Sequence, residues 1–347
     1  MEPSMNAVPM QTDLARIIRA LPKVELHVHL EGAIRPETLL KLAARHKVIL
    51  PASDLEGLRR WYTFRSFPHF VEIYVMISSC LRTPEDIELI AREFLAGQAA
   101  QNIVHSEVTY TAYTIFALSG IPIAEQLAAL DAARAWGEAT HGVTMSLIFD
   151  IAREVSPEQG LITADFAIAG REHGVIALGL GGNEAAHPPA KHLPAFRRAR
   201  DAGLRSLPHA GETAGPESIR GALRDLHAER LGHGVRCLED DALCDELVEK
   251  QVPLEVCPTS NVCLGIARSF DEHPLPRLLT RGLFVTLNSD DPPLFNTTLT
   301  DEYLRCAAAF SWDVATVARL AENAVHAAYL PESRKAALRA QIRQILT

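Results

Sequence analysis

Two histidines separated by one residue, His27 and His29, lie in an apolar stretch near the amino end of the chain. Residues two apart on a strand face the same side, so both imidazoles can bind one metal ion. His209 and Asp290 would complete a set of three imidazoles and one carboxylate, which suits Zn²⁺ and leaves room for a water molecule. Because bound Zn²⁺ lowers the pKa of water to about 7, the pattern predicts a hydroxide nucleophile at neutral pH.

Two further side chains stand close to these candidate ligands in the sequence. His233 lies between two glycines and is interpreted as orienting the attacking water beside the metal. A fifth ligand, a general base and a buried structural histidine are the alternatives. Glu212 lies three residues after His209. A carboxyl group shielded from bulk water can stay protonated and donate to a substrate nitrogen, although an ordinary acid in the first turn of a helix is the alternative.

The elements that must position these residues alternate along the chain. Eight short β-rich segments predict the strands Lys23–His29, Ile103–Thr109, Val143–Phe149, Val175–Leu180, Arg205–His209, Arg230–His233, Val252–Cys257 and Leu283–Leu287. The predicted helices between or after them are Pro36–His46, Pro84–Gln101, Ile123–His141, Pro157–Gly174, Leu193–Gly203, Pro216–Leu226, Glu239–Lys250 and Pro274–Arg281. This alternation predicts an α/β fold with a closed (β/α)8 TIM barrel. An open doubly wound sheet is the alternative, but no GxGxxG follows the first strand.

The candidate residues all fall where such a barrel has its active site, at the carboxyl ends of the strands. Predicted strands one, five, six and eight end in His27–His29, His209–Glu212, Gly232–Gly234 and Asn288–Asp291. A single histidine at such a place is most often an ordinary core or loop residue. Four motifs in barrel order favour one shared site.

Two regions lie outside the alternation. Residues 50–80 are rich in aromatic side chains, among them Phe64, Phe67 and Phe70, and predict either the core of an extra helix or a lid over a substrate pocket. Residues 301–347 predict carboxyl-terminal helices against the outside or the base of the barrel.

The composition of the 347 residues excludes several classes of protein. Acidic residues outnumber basic ones by 43 to 34, for a net charge of −9, which argues against nucleic-acid binding. No apolar run reaches about 18 residues, so no membrane span is predicted. The first 18 residues lack the pattern of a secretory signal, and the six cysteines contain no CxxC pair. We therefore predict a cytoplasmic protein with one barrel domain over residues 1–347; the sequence does not predict its oligomeric state.

The motifs together resemble the adenosine deaminase family. The resemblance runs from about residue 20 to residue 340 and depends on Pro22–Ala33 (PKVELHVHLEGA), His209–Glu212 (HAGE), Arg230–Gly234 (RLGHG), Cys257–Asn261 (CPTSN) and Leu287–Pro292 (LNSDDP). It implies a distorted (β/α)8 barrel of the metal-dependent hydrolase type with one zinc ion per chain. The implied reaction is hydrolytic deamination of a 6-aminopurine, which releases ammonia.

The resemblance also implies roles for individual residues. His27, His29, His209 and Asp290 would bind the zinc ion. Glu212 would protonate N1 of the purine, and His233 would position the water that the metal activates and help to deprotonate it. Asp291 would accept a hydrogen bond at N7, and the backbone of Gly182 would meet N3.

The substrate is less closely defined. Adenosine-specific members usually carry aspartate at the position of Glu31, which meets the ribose 5′-hydroxyl, and Ser106–Thr111 lacks their arginine and proline. Pro292–Leu299 is more similar to nucleoside deaminases than to those acting on free bases. The resemblance therefore favours a 5′-modified nucleoside, such as 6-amino-6-deoxyfutalosine of menaquinone biosynthesis, whose 5′ group Phe67 and Phe70 would contact. Adenosine, deoxyadenosine and adenine are the alternatives.

Other classes make different demands on the sequence. His105 and Glu107 form an HxE pair as in cytidine deaminases, but the PCxxC motif that accompanies it there is missing, so both are interpreted as structural or supporting residues. A two-metal amidohydrolase needs a bridging carboxylate or lysine near strand four, where Gly181–Asn183 offers neither. A non-catalytic binding protein would be expected to lose Glu212 or a metal ligand.

Overall fold

The computed structural model describes residues 7–346. Residues 1–6 and 347 lie outside the described part. The prediction that the first 18 residues carry no secretory signal therefore falls partly outside it.

The sheet has eight parallel strands, and each strand pairs with the next one in the sequence. They are β1 (Lys23–His29), β2 (Ile103–Tyr110), β3 (Thr144–Ala152), β4 (Val175–Gly181), β5 (Arg205–Ala210), β6 (Leu231–His233), β7 (Leu254–Val256) and β8 (Val285–Leu287). The chain beyond β8 returns to β1 through a parallel bridge between Val28 and Asp290. There the Asp290 carbonyl accepts from the His29 N–H at 2.9 Å, which nearly closes the barrel and confirms the predicted (β/α)8 fold.

The helices between the strands form the outer layer of the barrel. In chain order they are α1 (Ala7–Ala20), α2 (Pro36–His46), α3 (Leu55–Trp61), α4 (Phe67–Ser78), α5 (Pro84–Ala100), α6 (Ala112–Ser119), α7 (Ile123–His141), α8 (Pro157–Ala169), α9 (Leu193–Asp201), α10 (Pro216–Asp225), α11 (Asp241–Lys250), α12 (Pro258–Cys263), α13 (Leu275–Thr280), α14 (Pro292–Phe295), α15 (Leu299–Ala309), α16 (Val314–Ala327) and α17 (Glu332–Leu346). Short 3-10 helices occupy Arg171–His173, Pro189–His192 and Val235–Glu239. No helix within residues 7–346 combines the length and the apolar character that a membrane span needs.

The predicted elements differ from the observed ones mainly at their ends. The strand predicted over 252–257 is shorter, because Pro253 has no N–H to donate and Pro258 begins α12. The helix predicted over 157–174 ends at Ala169 and continues as a separate 3-10 turn. The short helices that follow β2, Cys257 and Asp291 were not predicted, because each has little sequence in which to show a period.

The aromatic segment after β1 forms two helices, α3 and α4. Ser66 caps α4 by accepting from the His69 N–H at 3.3 Å, and Ile73 and Ile77 bury one face of the helix in the core. The predicted carboxyl-terminal helices begin at Leu299, and α16 packs against β8 and β1.

Candidate metal and substrate site

The four predicted metal ligands meet at the carboxyl rim of the barrel, where all are buried. One ligand atom from each of His27, His29, His209 and Asp290 lies within 4.8 Å of the others. His29 Nε2 and His209 Nε2 are 3.3 Å apart, and Asp290 Oδ1 is 3.4 Å from His27 Nε2 and 3.3 Å from His29 Nε2. His27 Nε2 has no hydrogen-bond partner among the described residues.

The electrostatics of this cluster favour a cation. Burial lowers the pKa of His27, but Asp290 and Glu255 outweigh it and raise that pKa to about 10. Burial is likewise outweighed at His29, where Asp291 and Asp290 raise the pKa to about 9. Two imidazole nitrogens so close together need a proton or a metal ion between them. Three imidazoles and one carboxylate are a donor set that zinc accepts, so the residues present fit a divalent metal ion.

A buried chain of charges holds His27 in place. Its Nδ1 lies 2.9 Å from Glu255 Oε2, and the other oxygen of Glu255 accepts from Arg230 Nε at 2.6 Å. Arg230 Nη2 in turn lies 2.6 Å from Glu107 Oε2. A carboxylate behind a histidine fixes the ring so that its other nitrogen faces the metal. Glu107 therefore has the supporting place that the sequence predicts. Glu255 was not singled out, and Arg230 was named only as part of the Arg230–Gly234 motif, without a role. A charged residue within a short apolar strand was the signal for both.

Two of the site residues have left-handed backbone conformations. Asp290 has φ 65° and His233 has φ 61°, both in a region that non-glycine residues rarely adopt. At Asp290 the chain leaves the regular path of β8, and its carboxylate turns toward β1. The neighbouring Asn288 Oδ1 accepts from the backbone N–H of Leu26 at 2.9 Å and of His27 at 3.2 Å, which fixes this junction.

The turn after β5 is organised by Glu184, which lies just beyond β4 and is 3% exposed. Its carboxylate accepts from the hydroxyl of Ser218 at 2.5 Å and from the backbone N–H groups of Gly211, Glu212, Thr213 and Ala214 at 2.8 to 3.1 Å. Burial raises the pKa of Glu184, but Arg153 and these hydrogen bonds hold it below its usual value. Sequence reasoning did not single out Glu184, although an acid directly after a strand end was a signal for it.

Glu212 and His233 lie beside the metal cluster and are both buried. Glu212 Oε1 is 3.6 Å from His233 Nε2, which is 3.8 Å from Asp290 Oδ2. Burial, with added repulsion from Asp290 and Glu184, raises the pKa of Glu212 well above its usual value, so this carboxyl favours the protonated form. Burial lowers the pKa of His233 to about 4, so its imidazole is neutral at neutral pH.

A chain of hydrogen bonds fixes which nitrogen of His233 carries the proton. It starts at the backbone N–H of Leu275, which donates to His273 Nδ1 at 3.1 Å. Burial lowers the pKa of His273 to about 4, so its ring is neutral and the proton is on Nε2, 3.1 Å from Asn261 Oδ1. The amide nitrogen of Asn261 must then donate to His233 Nδ1, at 3.3 Å. A neutral imidazole that accepts at Nδ1 has its proton on Nε2, which faces the metal cluster.

A cavity of about 100 Å³ opens beside the cluster. One side of its wall comes from the cluster and its neighbours, namely His29, His209, Glu212, His233, Asp290 and Asp291. The other side comes from α4 and from the ends of β2, β3 and β4, and includes Phe67, Phe70, Tyr74, Thr111, Asp150 and Gly182. The structure therefore brings Gly182, Asp291, Phe67 and Phe70 to one cavity, as the sequence predicts. Phe64 is not on this wall; its ring packs against Phe70 and Phe295.

Glu31, which the sequence predicts to meet the ribose, is not among the residues that line this cavity. It is fully buried behind Tyr74 and Thr111. Glu31 Oε2 accepts from the Tyr74 hydroxyl at 3.0 Å, and Oε1 accepts from the backbone N–H and the hydroxyl of Thr111 at 2.9 and 2.6 Å. The glutamate side chain reaches these donors, so Glu31 holds the two wall residues Tyr74 and Thr111 in place.

A parallel (β/α)8 barrel with three histidines and an aspartate buried at its carboxyl rim defines a metal-dependent hydrolase. The family model of adenosine deaminase matches residues 22–345, and the chain belongs to that family. It is therefore a hydrolase that acts on C–N bonds, as the sequence predicts.

Three proteins of known name are similar to this chain in sequence or in structure. The chain is 41% identical over 332 residues to an aminodeoxyfutalosine deaminase of Streptomyces avermitilis, covering 95% of this chain and 92% of the relative. The crystal structure of an adenine deaminase from Arthrobacter aurescens matches with a TM-score of 0.90 and 34% identity, covering 94% of this chain and 99% of that one. An amidohydrolase of Burkholderia ambifaria, solved with bound Zn, matches with a TM-score of 0.89 and 27% identity, covering 100% and 95%.

Proposed function

We propose that this chain is a zinc-dependent deaminase that converts a 6-aminopurine nucleoside to the 6-oxo product and ammonia. The observation that carries this proposal is the three-histidine, one-aspartate cluster with the buried carboxyl of Glu212, whose pKa burial raises, on the same cavity wall. His27, His29, His209 and Asp290 would hold one zinc ion per chain. When bound, zinc lowers the pKa of water and supplies hydroxide at neutral pH.

Glu212 supplies the proton that the purine ring needs. Its carboxyl donates to N1, and N1 protonation draws electron density from C6, where the oxygen of water adds. C6 then carries both the new oxygen and the amino group. The Glu212 carboxylate then takes the proton of the new hydroxyl group and passes it to the amino group, the C6–N bond breaks, and ammonia leaves with the 6-oxo product formed.

His233 acts as a hydrogen-bond donor. The chain from Leu275 through Asn261 keeps the proton on Nε2, so this nitrogen can donate to the attacking oxygen but cannot accept a proton from it. This replaces the expectation that His233 helps to deprotonate the water. Its contribution is to orient the oxygen and to stabilise the negative charge that develops on it.

The hydrogen bond expected between Asp291 and N7 also reverses its direction. N7 of a purine nucleoside carries a lone pair and no proton, so it can only accept. Burial and the neighbouring Asp290 raise the pKa of Asp291 well above its usual value. A protonated Asp291 carboxyl, whose Oδ1 has no partner among the described residues, would donate to N7.

For the substrate we propose a 5′-modified nucleoside such as 6-amino-6-deoxyfutalosine. The 41% identity to an aminodeoxyfutalosine deaminase supports this choice, and the aromatic side chains of α4 offer a surface for an added ring. Adenine is the second candidate, because the matching Arthrobacter structure is an adenine deaminase.

Parallel measurements of ammonia release test this function. Zinc-loaded enzyme is assayed with 6-amino-6-deoxyfutalosine, adenosine, 2′-deoxyadenosine and adenine. Burying an added ring contributes about 2–3 kcal/mol, so kcat/KM for the first substrate should exceed that for adenosine by about 30- to 150-fold. An equal or higher kcat/KM for adenosine contradicts the 5′-modified substrate. Metal analysis is run on the same preparation: one zinc per chain is expected, and two would favour a two-metal amidohydrolase.

A further inference from the structure

The carboxylate of Asp150 is buried in the cavity wall without a partner. Asp150 lies near the carboxyl end of β3 and is 5% exposed. Neither oxygen accepts a hydrogen bond from any residue in the range 7–346, and Oδ1 is shielded from solvent as well. A buried carboxylate without donors is costly to keep, so a ligand that brings a donor would remove that cost.

The guanidinium of Arg153 does not serve as that partner. Arg153 follows Asp150 on the same side of the barrel, but its guanidinium donates to the carbonyls of His187 at 2.8 Å and His209 at 2.6 Å. Its remaining charge faces Glu184, 4.0 Å away. Asp150 is therefore left without an ion pair or a hydrogen bond among the described residues, whereas the nearby buried carboxylate of Glu184 accepts five hydrogen bonds.

The neighbouring strand makes room for this carboxylate. A Cβ atom at Gly179 would lie 2.5 Å from Asp150 Oδ1, and one at Gly181 would lie 2.6 Å from Oδ2. Neither glycine has a positive φ, so the backbone does not require glycine at these places. Their missing side chains allow Asp150 to lie against β4 at the edge of the cavity.

The order of the strands places Asp150 on the part of the cavity wall that β2, β3 and β4 form. The metal cluster lies on β1, β5 and the segment after β8, and Glu212 and Asp291 flank it on the cavity wall. A purine with C6 at the cluster, N1 at Glu212 and N7 at Asp291 points its N3–N9 edge toward β2, β3 and β4. The sugar on N9 then reaches the wall that carries Asp150. The donors on that part of a nucleoside are the ribose hydroxyls.

We propose that Asp150 accepts a hydrogen bond from a ribose hydroxyl and so selects nucleosides over free bases. This inference rests on the proposed function, since it needs a nucleoside in the cavity. It adds a substrate contact on β3 that the motifs of the family do not include.

The test compares zinc-loaded wild type with Asp150→Ala and Asp150→Asn. The substrates are the best nucleoside from the parallel assay, its 2′-deoxy and 3′-deoxy analogues, and adenine. Loss of a hydrogen bond to a charged group should lower kcat/KM for the nucleoside about 10- to 100-fold in Asp150→Ala. The loss should be smaller in Asp150→Asn, whose amide oxygen still accepts. It should fall below about 3-fold for adenine and for the one analogue that lacks the bonded hydroxyl.

Zinc content and the thermal midpoint are measured for each variant, so that a folding or metal defect is recognised. Equal losses on all substrates would overturn the proposed contact, because Asp150 would then act on the cluster instead of the sugar. A loss confined to adenine would also overturn it, since the donor would be N9–H. If wild type acts on adenine and on no nucleoside, the proposed substrate fails before the variants are compared.

Discussion

The two sides of the barrel rim satisfy their polar groups in different ways. On the metal side, formed by β1 and β5–β8, three of the reacting residues are backed by other groups: Glu255 holds His27, Glu184 holds the turn of Glu212, and Asn261 bonds to His233. His209 Nδ1 and Asp291 Oδ1 have no hydrogen-bond partner among the described residues. On the facing side, formed by β2–β4 and α4, the wall carries aromatic rings and the unpartnered carboxylate of Asp150. The metal side holds the candidate metal ligands together with Glu212 and His233. The facing side leaves the Asp150 carboxylate free to accept a hydrogen bond from a ligand.

The largest effect is expected when a metal ligand is removed. Asp290→Ala should release zinc or hold it loosely and abolish activity, because three neutral imidazoles remain without the carboxylate. The adjacent Asp291→Ala is the matched control: it should retain zinc and lose substrate affinity, since Asp291 lines the cavity without belonging to the cluster. Zinc content and binding of a substrate analogue are the measurements. Equal zinc content and equal binding in both variants would refute the assignment of these two acids.

The next effect concerns the proton donor. Glu212→Gln keeps the size of the side chain but cannot transfer a proton to N1, so kcat should fall by about 10²-fold or more. Zinc content should stay at the wild-type level, because Glu212 is not in the cluster. Near-normal turnover with zinc retained would remove the proposed donor role.

Weakening the support of a ligand should cost less than removing the ligand. Glu255→Gln removes the negative charge behind His27, and the affinity for zinc should fall by about 10- to 100-fold. Competition with a chelator measures this affinity directly. Full activity should return at saturating zinc. An unchanged zinc affinity would mean that metal binding does not depend on the carboxylate behind His27.

A smaller but more specific effect is expected at Asn261. In Asn261→Asp, the new carboxylate accepts from His233 Nδ1–H and raises the pKa of that imidazole above its value of about 4. The neutral ring then has a bare Nε2, and only the protonated ring can donate there. Below the raised pKa the variant should be active, and activity should be lost as the pH rises through it. A general base at His233 predicts the opposite sign, a gain with rising pH, in the same pH–rate profile.

The smallest effect belongs to the facing side. Glu31→Gln keeps an oxygen for Thr111, and the Tyr74 hydroxyl can rotate to accept from the new amide. Stability should fall by about 1 kcal/mol and KM should rise no more than about 3-fold, with zinc content unchanged. Denaturant unfolding and steady-state kinetics measure both. A large loss confined to nucleosides would instead place Glu31 in contact with the sugar.

The sequence predicts the metal side better than the facing side. The histidines and Asp290 are rare residue types at strand ends, and the order of the strands in a barrel then brings them together without knowledge of packing. The hydrogen-bond partners of Glu31 could not be predicted, because Tyr74 reaches it from a helix 43 residues further along the chain. The same holds for Glu255 and Asp150, whose roles depend on which neighbouring atoms remain unpaired. That one domain spans residues 1–347 remains a prediction.

The left-handed backbone at His233 and Asp290 has an evolutionary consequence. A non-glycine residue in this conformation costs about 1 kcal/mol or more, so the protein gives up stability at both places to aim two functional side chains. Glycine or asparagine would adopt the same backbone more easily. A lineage released from selection for the reaction, but still selected to fold, should therefore accumulate glycine or asparagine at positions 233 and 290. Its loss of catalysis would be accompanied by a more heat-resistant fold.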